Sequence, residues 1–299
     1  MATILIGGGT GFIGKHLSER LKEKGHEVRH LSRSRRPDSP FKTFQWDVAK
    51  QTIDDAALKE VDYIINLTGA GIADKRWTDK RKQLIISSRT NSTKLLADAL
   101  KRLDIRPKLY LNSSAVGYYG NRGDKLLTED DGPGSGFLSE SCVEWEQSVN
   151  AVHELGIPVC INRTGIVLHP DSGALEKMLI PLHFFTSTYF GDGQQFYSWI
   201  HIDDMVETFV FAIEHQLTGT YNAVAPHPAR NKTMAAALGP AKGKPALVIP
   251  APAFALKIAL GEMSHTVLDS TRCSSAKLTA EGFTFKFPEL EGALSDLLS

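Results

Sequence analysis

Closely spaced glycines near the amino terminus have the type and spacing to hold a pyrophosphate on backbone amides. Residues 7–14 (GGGTGFIG) directly follow the apolar run of residues 3–6 (TILI). Glycine permits positive φ and close approach of a ligand, and the free N–H groups at a helix start favour negative charge. An apolar strand, a glycine turn and a helix in this order predict a dinucleotide site.

The glycines fit two dinucleotide-binding spacings, G-x-G-x-x-G on Gly9, Gly11 and Gly14 and G-x-x-G-x-x-G on Gly8, Gly11 and Gly14. Their setting strengthens the pattern, because Leu17 and Leu21 follow at helical spacing and Gly25 ends the helix. Residues 28–31 then predict a second strand. A purely structural glycine turn would explain the bend but not this strand, turn, helix and strand order.

The end of the second predicted strand favours NADP over NAD. An NAD site places an acid there for the ribose 2′-hydroxyl, whereas an NADP site uses arginine for the 2′-phosphate. Residues 32–36 (SRSRR) contain no acid, and the first one is Asp38. Arg33 could fork onto the phosphate while Ser32 donates a further hydrogen bond. The alternative is a solvated basic turn.

Composition excludes several classes of partner. Among 299 residues, 34 Lys and Arg balance 34 Asp and Glu, so no global field attracts nucleic acid or an acidic membrane surface. Three widely spaced cysteines form neither a disulfide framework nor a metal spacing, which favours a reducing cytoplasm. The ten histidines form no ligand cluster, and we predict no metal.

Two segments bear on targeting and membranes. The first strand begins at about Thr3, which leaves no room for a cleavable leader. The most apolar late stretch, residues 245–260, is interrupted by Pro250, Pro252 and Lys257 and is shorter than the ~20 residues that span a bilayer. It predicts a strand followed by a packed helix.

Short apolar runs alternate with helical segments through the first half of the chain. They lie around Ile4, Val28 and Phe44 and at residues 63–67, 109–112 and 159–162. This rhythm predicts an α/β fold with a Rossmann-like, doubly wound parallel sheet. Helices are expected at residues 81–103 and 139–155. The dinucleotide domain would span residues 1–165, with residues 195–225 returning to it, and a smaller α/β substrate domain would span residues 166–299.

Further motifs carry a family resemblance. They are residues 66–69 (NLTG), 73–78 (ADKRWT), 113–115 (SSA), 117–120 (GYYG), 163–168 (RTGIVL) and 199–204 (WIHIDD). With them the chain resembles an extended short-chain dehydrogenase/reductase over nearly its whole length. More closely, it resembles the YfcH-like epimerase family, once labelled cell-division-inhibitor-like. Residues 282–288 (GFTFKFP) are similar to the signature of that group's C-terminal DUF1731-type domain.

The resemblance implies an NADP pocket. It places Gly8, Gly11, Phe12 and Ile13 at the pyrophosphate, Ser32 and Arg33 at the 2′-phosphate, and Leu67, Thr68 and Gly69 on the ribose side. Arg89 stands where the broader superfamily usually has Asn, and it would bring a charged fork near the cofactor. Val167 would lie near the nicotinamide, with a core valine as the alternative.

The catalytic pattern departs from the superfamily. Its members use Ser or Thr to hold the substrate oxygen, Tyr to pass a proton, and Lys four residues later to lower the phenol pKa. Ser114 matches the first role, but no Tyr-x-x-x-Lys occurs in the chain. Aligning Glu146 with the acid that often follows that motif puts Leu138 and Cys142 at the Tyr and Lys places.

Two nearby features could replace the missing relay. Tyr118 or Tyr119 could supply a phenol from the other side, helped by the charge of Lys75 or Arg76. The alternative is that a Gly-Tyr-Tyr-Gly turn packs or anchors a loop. Cys142 could be a nucleophile, although a lone helical cysteine is more often inert.

Three side chains before the predicted helix at residue 81 could contact substrate. Lys75 and Arg76 would clamp an anion and Trp77 would form a stacking wall, unless residues 74–77 are only a helix-entry loop. His201, together with residues 191–194 (GDGQ), resembles the substrate loop of nucleotide-sugar epimerases. Asp203 could instead cap a helix.

The leading hypothesis is an NADP-dependent oxidoreductase or epimerase acting on a nucleotide sugar or another small anionic molecule, as a monomer or homodimer. No nucleic-acid or membrane partner is expected. The rival hypothesis is an NADP(H)-binding sensor or regulatory protein that kept the pocket and lost turnover. The absent Tyr-x-x-x-Lys favours the rival, whereas Ser114 favours the enzyme.

Overall fold

The computed structural model describes residues 1–34 and 36–299, so Arg35 of the basic turn lies outside the described residues. The strands are β1 (Thr3–Gly7), β2 (Glu27–Ser32), β3 (Lys42–Asp47), β4 (Thr52–Ile53), β5 (Tyr63–Asn66), β6 (Leu109–Ala115), β7 (Leu126–Leu127), β8 (Val159–Thr164), β9 (Ile166–His169), β10 (Thr186–Phe190), β11 (Phe196–Tyr197), β12 (Trp199–His201), β13 (Gly219–Ala223), β14 (Ala229–Arg230), β15 (Leu247–Ala251) and β16 (Arg272–Cys273).

The helices alternate with these strands. They are α1 (Phe12–Glu23), α2 (Asp79–Leu103), α3 (Phe137–Ser148), α4 (Asn150–His153), α5 (Gly173–Leu179), α6 (Ile202–Glu214), α7 (Asn231–Ala241), α8 (Ala253–Leu260), α9 (His265–Leu268), α10 (Ala276–Ala280) and α11 (Leu290–Leu298). Short 3₁₀ turns cover Asp55–Ala57, Val116–Tyr119, Ile180–Phe184 and Gly261–Ser264.

Eight strands form the central sheet, in the order β13-β8-β6-β5-β1-β2-β3-β4. All neighbours pair in parallel except β3 and β4, which are antiparallel. The order reverses between β1 and β5, and ligands of such sheets bind at the carboxyl ends of the strands beside that reversal. The predicted α/β fold with a Rossmann-like parallel sheet is confirmed.

The sheet is buried on both faces because its strands are apolar on both sides. Ile4 and Ile6 of β1 pack with Leu17 and Leu21 of α1 and with α6. Leu5, between them in sequence, points to the opposite face and packs with α2. A continuous apolar run thus serves two helical layers, as expected of a doubly wound parallel sheet.

The predicted long helices differ in how well they match. Helix α2 begins at Asp79, where the Thr78 side chain accepts a hydrogen bond from the N–H of Arg81, and ends at Leu103 as expected. The predicted helix at residues 139–155 is instead two pieces, α3 and α4, joined at Val149. The N–H of Val149 bonds to the carbonyl of Glu146, a 3₁₀ bond that breaks the α-helical pattern.

The C-terminal part contains a second, two-stranded sheet, and the division into a dinucleotide domain and a substrate domain stays a prediction. Strands β10 and β15 pair in parallel, and α7 and α11 share an apolar cluster there. The prediction for residues 245–260 is partly wrong. Strand β15 and helix α8 are present, but α8 has no buried residue, and Phe254 and Ile258 are 69% and 73% exposed. Pro250 lies within β15 and Pro252 caps α8, and the apolar composition of the stretch did not show whether the helix packs.

The GFTFKFP segment runs along α6. Phe283 and Phe285 insert into the core beside Phe211 of α6. The Asp204 carboxylate accepts hydrogen bonds from the N–H groups of Lys286 and Phe287 at 2.8 and 2.9 Å. The alternating phenylalanines are therefore explained by an extended segment with one face buried.

Candidate functional site

The glycine turn after β1 is shaped by three different constraints. Gly8 has φ +82°, a conformation that side chains other than glycine rarely adopt. A Cβ added at Gly9 would lie 2.4 Å from Cδ2 of His30, and one added at Gly14 would lie 2.3 Å from the carbonyl oxygen of Gly8. The predicted spacing therefore reflects a left-handed turn and two close approaches of loop, strand and helix.

The start of α1 is left open to an anion. Gly11 is its N-cap residue with extended backbone, so no side chain caps the helix, and the first turn contains no acid. The carbonyl of Gly11 accepts the first hydrogen bond of the helix, from the N–H of Lys15. The N–H groups of Phe12 and Ile13 therefore face outward at the positive end of the helix, where a pyrophosphate fits.

A buried histidine supports this turn from below. His30 of β2 is 2% exposed, its Nε2 lies 2.7 Å from the hydroxyl of Ser18, and that hydroxyl donates to the carbonyl of Gly14 at 2.6 Å. Burial lowers the pKa of His30 to about 4. Its ring is therefore neutral near pH 7, and its packing fills the space under Gly9.

The end of β2 offers one buried hydroxyl and one free cation. Ser32 is 7% exposed, and its oxygen accepts a long 3.4 Å hydrogen bond from the N–H of Ser34. Arg33 is exposed, and its guanidinium makes no hydrogen bond or ion pair within the described residues. An uncommitted guanidinium beside a strand end suits a 2′-phosphate, and its binding role stays a prediction.

The loop after β5 touches the glycine turn. The N–H of Leu67 bonds to the carbonyl of Gly7 at 2.9 Å, and a Cβ on Gly8 would lie 3.0 Å from the Leu67 carbonyl. The hydroxyl of Thr68 is buried and finds no hydrogen-bond partner among the residues described. The structure thus brings Gly8, Leu67 and Thr68 together, as the resemblance implied.

Side chains of α2 hold this loop in place. Ser88 accepts from the N–H of Ala70 at 2.9 Å, Arg89 donates to the Ala70 carbonyl at 3.0 Å, and Arg81 donates to the Gly71 carbonyl. Gly69 lies directly against this arginine, since an added Cβ would be 2.8 Å from Cζ of Arg89. These three side chains of α2 therefore set the path of the loop over the sheet edge.

Val167 lies on the other side of the glycine turn. It belongs to β9, which pairs with β12 and packs against the apolar core. A Cβ on Gly173 would be 3.7 Å from the Val167 carbonyl and 3.8 Å from the ring of Phe12. Val167 is thus both a core residue and a close neighbour of the predicted pyrophosphate turn.

The end of β6 carries a buried polar network. The Ser114 hydroxyl donates to Oε1 of Glu146 at 2.6 Å, and Arg163 forms a bidentate pair with that carboxylate, both distances being 2.9 Å. Arg163 is 4% exposed and also donates to the Tyr119 hydroxyl at 2.9 Å. That hydroxyl in turn donates to Asn222 at 2.7 Å. The network ties β6, α3, β8 and β13 together.

This network changes the interpretation of the three candidate catalytic residues. Ser114 is 2% exposed and holds Glu146 rather than facing open space. Tyr119 is fully buried, and burial raises its pKa, so it does not serve as a base near neutrality. Tyr118 is half-buried with the Arg163 guanidinium 3.5 Å from its ring centroid. The anchoring alternative describes Tyr119, and a catalytic role for Ser114 or Tyr118 stays a prediction.

The places of the missing Tyr and Lys face the end of β6. A Cβ on Gly117 would lie 3.5 Å from Cβ of Leu138 and 3.8 Å from Sγ of Cys142. Both side chains therefore point at the turn after Ala115, where the relay would work. Cys142 is 3% exposed and burial raises its pKa to about 11, which keeps it a neutral thiol rather than a nucleophile.

The predicted substrate residues separate into two groups. Lys75 and Arg76 are exposed on the loop after β5, with Arg76 beside Gly261. Trp77 is not a stacking wall: it is 8% exposed, donates to the Ile72 carbonyl at 2.9 Å and packs edge-on against Phe137. A large apolar ring before a helix start was buried by α3, which the local sequence did not show.

His201 does not face substrate space either. It is 1% exposed, its Nδ1 accepts from the N–H of Asp203 at 3.0 Å, and it stacks on Phe287 at 3.9 Å. His201 thus caps α6 in the place proposed for Asp203, and its Nε2 lies 3.3 Å from the Asp296 carboxylate. The C-terminal segment that buries it is distant in sequence.

Sequence reasoning missed the roles of Glu146, Arg163 and Asn222. Arg163 ends β8 within the RTGIVL motif, and Glu146 lies one turn after Cys142 on α3. A charged residue within an apolar strand was the available signal, since such a group needs a buried partner. Its partner could not be chosen without the packing.

Two features of the described residues bear on other functions. They contain no cluster of three or more His, Cys, Asp or Glu side chains with the arrangement of a metal site. None of the described helices has the length and apolarity needed to cross a bilayer. The cysteines Cys142, Cys160 and Cys273 are all buried free thiols.

Comparison with known proteins agrees with the fold. Residues 4–223 match the NAD dependent epimerase/dehydratase family, and residues 251–297 match DUF1731, a domain of unknown function. The chain is 35% identical to the epimerase family protein SAB0724c of Staphylococcus aureus, with 100% of each chain covered. It is 35% identical to the epimerase family protein YfhF of Bacillus subtilis, with 99% of this chain and 98% of that protein covered.

A solved structure extends the similarity to three dimensions. The crystal structure of the human epimerase family protein SDR39U1 (isoform 2) with NADPH has a TM-score of 0.88 to this chain at 30% identity, and 99% of each chain is covered. The family resemblance stated from the motifs is thereby confirmed. The chain belongs to the NAD dependent epimerase/dehydratase family of extended short-chain dehydrogenases/reductases and carries a DUF1731 domain at its C-terminal end.

Proposed function

We propose that this protein binds NADP(H) and acts as an oxidoreductase or epimerase on a small anionic molecule. The observation that carries the proposal is the open start of α1, where a glycine turn leaves the N–H groups of Phe12 and Ile13 uncapped. The exposed, uncommitted Arg33 at the end of β2 favours the 2′-phosphate. The NADPH in the structure of the human relative supports the same choice.

The chain's own residues would bind and orient the reactants. When bound, NADPH supplies a hydride from C4 of its nicotinamide. The glycine turn and the loop of Leu67, Thr68 and Gly69 would hold the dinucleotide, while Lys75 and Arg76 would attract an anionic substrate such as a nucleotide sugar. Tyr118 is the remaining phenol at the end of β6, with its ring under the Arg163 guanidinium.

A second function is favoured by a specific observation. Ser114 and Tyr119 are committed to a buried network, and Leu138 and Cys142 occupy the relay positions. A protein that binds NADP(H) and signals its occupancy needs the pocket but no relay. Following NADPH absorbance against carbonyl compounds, and sugar interconversion by NMR, separates the two functions. If the protein neither oxidises NADPH nor interconverts the sugars, the sensor function is the better explanation for those substrates.

The choice of NADP is tested by replacing Arg33 with alanine. Loss of a charge-assisted bond should weaken NADPH binding by about 1 to 3 kcal/mol and leave NADH binding nearly unchanged. Calorimetric titration with both cofactors measures the difference. Arg106→Ala, an exposed arginine paired with Asp104 far from β2, is the matched control. Equal loss for NADPH and NADH would defeat the assignment of the 2′-phosphate.

A further inference from the structure

Helix α8 is apolar but does not pack into the core. Its sequence is AFALKIAL, with a single charged residue, and none of its residues is buried. Phe254 and Ile258, which are four residues apart, lie on the same exposed side of the helix. A helix of this composition ordinarily buries an apolar stripe, so an exposed one indicates a binding surface.

A second group of exposed apolar side chains lies on the turn after α5. The carbonyl of Phe185 accepts a hydrogen bond from the N–H of Leu247, the first residue of β15, and β15 leads through Pro252 into α8. The turn, β15 and α8 are therefore linked. We call their exposed side chains the apolar surface, and they are Ile180, Phe184, Phe185, Leu247, Ile249, Phe254 and Ile258.

The apolar surface is large for a single chain. Its phenylalanines Phe184, Phe185 and Phe254 are 76%, 62% and 69% exposed. They leave about 400 Å² in contact with water if each side chain has roughly 200 Å². The largest apolar patch of a typical monomer covers about 300 to 600 Å² and is often functional. With its leucine and isoleucines added, this surface is large enough to bind a ligand.

One end of the apolar surface lies beside the loop after β5. The Lys177 ammonium of α5 donates to the carbonyl of Ala73 at 3.4 Å. Ile180 and Phe184 follow Lys177 by three and seven residues in a continuous helical segment, which places them on the same side of it. This end therefore borders the loop that carries the two cations predicted to bind an anion.

Helix α8 reaches the same loop from its C-terminal end. A Cβ added at Gly261 would lie 3.0 Å from Nη2 of Arg76, and Ile258 precedes Gly261 by three residues. The next residue, Glu262, forms an ion pair with Lys82 of α2. The apolar surface thus borders the predicted anion-binding loop at two places.

The charges at this place complement an anion. Lys75, Arg76 and Lys257 are exposed and form no ion pair with any residue that the structure describes. Two neighbouring acids, Asp74 and Glu262, are already paired with cations of α2. Unpaired cations beside an apolar surface suit an anion that carries an apolar chain. A second copy of the chain would instead bring the same cations to both sides of an interface, which repulsion disfavours.

We propose that the substrate is a free amphipathic anion, with a phosphate or carboxylate at one end and an alkyl chain at the other. This substrate class rests on the proposed function and specifies what its site accepts. Lys75 and Arg76 bind the anionic group, and the apolar surface binds the chain. A nucleotide sugar fits less well, because its hydroxyl groups need polar partners that the apolar side chains do not offer.

A series of alkyl phosphates tests the apolar contact. With NADP⁺ present, we expect the affinity to rise about twofold to fourfold for each CH₂ added from butyl to decyl phosphate, because each buried CH₂ leaves water. Titration calorimetry below the micelle concentration measures this dependence. An affinity that does not change with chain length, or no binding by any member, would overturn the proposal.

Two double variants assign the two ends of the ligand. Phe254→Ser with Ile258→Ser should remove most of the dependence on chain length. Lys75→Ser with Arg76→Ser should weaken every member about 10-fold or more and keep that dependence, because only the charged contact is lost. Thermal unfolding reports whether each variant folds.

The control is Leu126→Ser, an exposed leucine on β7 outside the apolar surface. It should leave both the affinity and its dependence on chain length unchanged. If the serine pair on α8 keeps the full dependence on chain length, the apolar surface is not the binding site and the proposal is wrong.

Other occupants of the surface give different results. We expect no flotation with vesicles of phosphatidylcholine and phosphatidylglycerol, and the same sedimentation for the unchanged chain and the α8 serine variant. Vesicle binding without binding of free alkyl phosphates, or a dimer that the serine pair dissociates, would contradict the proposal. A chain that binds NADPH but no alkyl phosphate would defeat this substrate class alone, whereas a chain that binds no NADPH would defeat the proposed function.

Discussion

The polar groups at the two ends of the predicted dinucleotide cleft differ in whether they have partners within the chain. At the glycine turn, the start of α1 has no side-chain cap, and the Arg33 guanidinium makes no hydrogen bond with the described residues. At the end of β6, Ser114 and Tyr119 are bonded to Glu146, Arg163 and Asn222, so the chain satisfies itself.

The difference separates binding from chemistry. A binding site can be recognised by donors that lack partners within the chain, because those donors remain available to a ligand. A network that is already satisfied stabilises the fold and leaves little for substrate. In this chain the first arrangement is found at the predicted cofactor end, and the second is found at the end of β6, where the proton relay of the superfamily was predicted to be missing.

The strongest test of the cofactor end is Gly14→Ala. The added Cβ would lie 2.3 Å from the Gly8 carbonyl oxygen, a backbone atom that moves only if the turn changes shape. We expect NADPH affinity to fall about a thousandfold, which is roughly 4 kcal/mol. Titration calorimetry measures it, with Gly132→Ala as control, because a Cβ there has no atom within 4 Å. Affinity within tenfold of the unchanged chain would show that this close approach does not shape the site.

The strongest test of the other end is Glu146→Ala. Arg163, 4% exposed, would remain as an unpaired buried charge, so the free energy of unfolding should fall by about 3 to 5 kcal/mol. Chemical denaturation measures it. Asp55→Ala is the control, since Asp55 forms an equally bidentate pair with Arg102 on the surface. It should cost much less, and similar losses in both variants would remove the contrast between a buried and an exposed pair.

The histidine under the glycine turn predicts a dependence of stability on pH. Burial lowers the pKa of His30 to about 4 in the folded chain, against about 6.5 when unfolded. The contribution of neutral His30 to the free energy of unfolding is therefore complete above about pH 6.5. It is lost as pH falls toward 4, which lowers the free energy of unfolding by about 3 kcal/mol. Denaturation at several pH values should show this slope, and His30→Gln should flatten it. An unchanged slope in the variant would place the titration elsewhere.

The smallest expected effect distinguishes support from catalysis at Ser114. Because its hydroxyl donates to the buried Glu146 carboxylate at 2.6 Å, Ser114→Ala should lower the free energy of unfolding by about 1 to 2 kcal/mol. NADPH affinity should stay the same. Ser113→Ala is the control, since that hydroxyl has only a 3.3 Å contact with the Thr164 hydroxyl. Unchanged stability with lost turnover would instead restore the catalytic role of Ser114.

Features that follow from local residue periodicity could be predicted from the sequence. The order of strand, glycine turn and helix predicted β1 and α1, and the alternation of short apolar runs predicted the parallel sheet. Residues 81–103 predicted α2 to within two residues. These features depend on backbone conformation and on the spacing of apolar side chains, which neighbouring residues determine.

Features that depend on contacts between distant segments could not be predicted from the local sequence. Trp77 was expected in the cleft, but Phe137 covers it, and His201 was expected at substrate, but Phe287 covers it. The partner of Arg163 is 17 residues away on another element, and nothing local selects Glu146. Such pairs arise only when the elements pack.

By itself the sequence determined the dinucleotide turn, the basic end of β2, the layered α/β fold and the absence of Tyr-x-x-x-Lys. Only the tertiary structure decided which polar side chains remain free for ligands. Arg33 makes no side-chain hydrogen bond with the described residues, whereas Ser114, Tyr119 and His201 are all bonded to neighbours. The physical reason is that residue type sets what a group can bind, while packing sets whether a neighbour has already bound it.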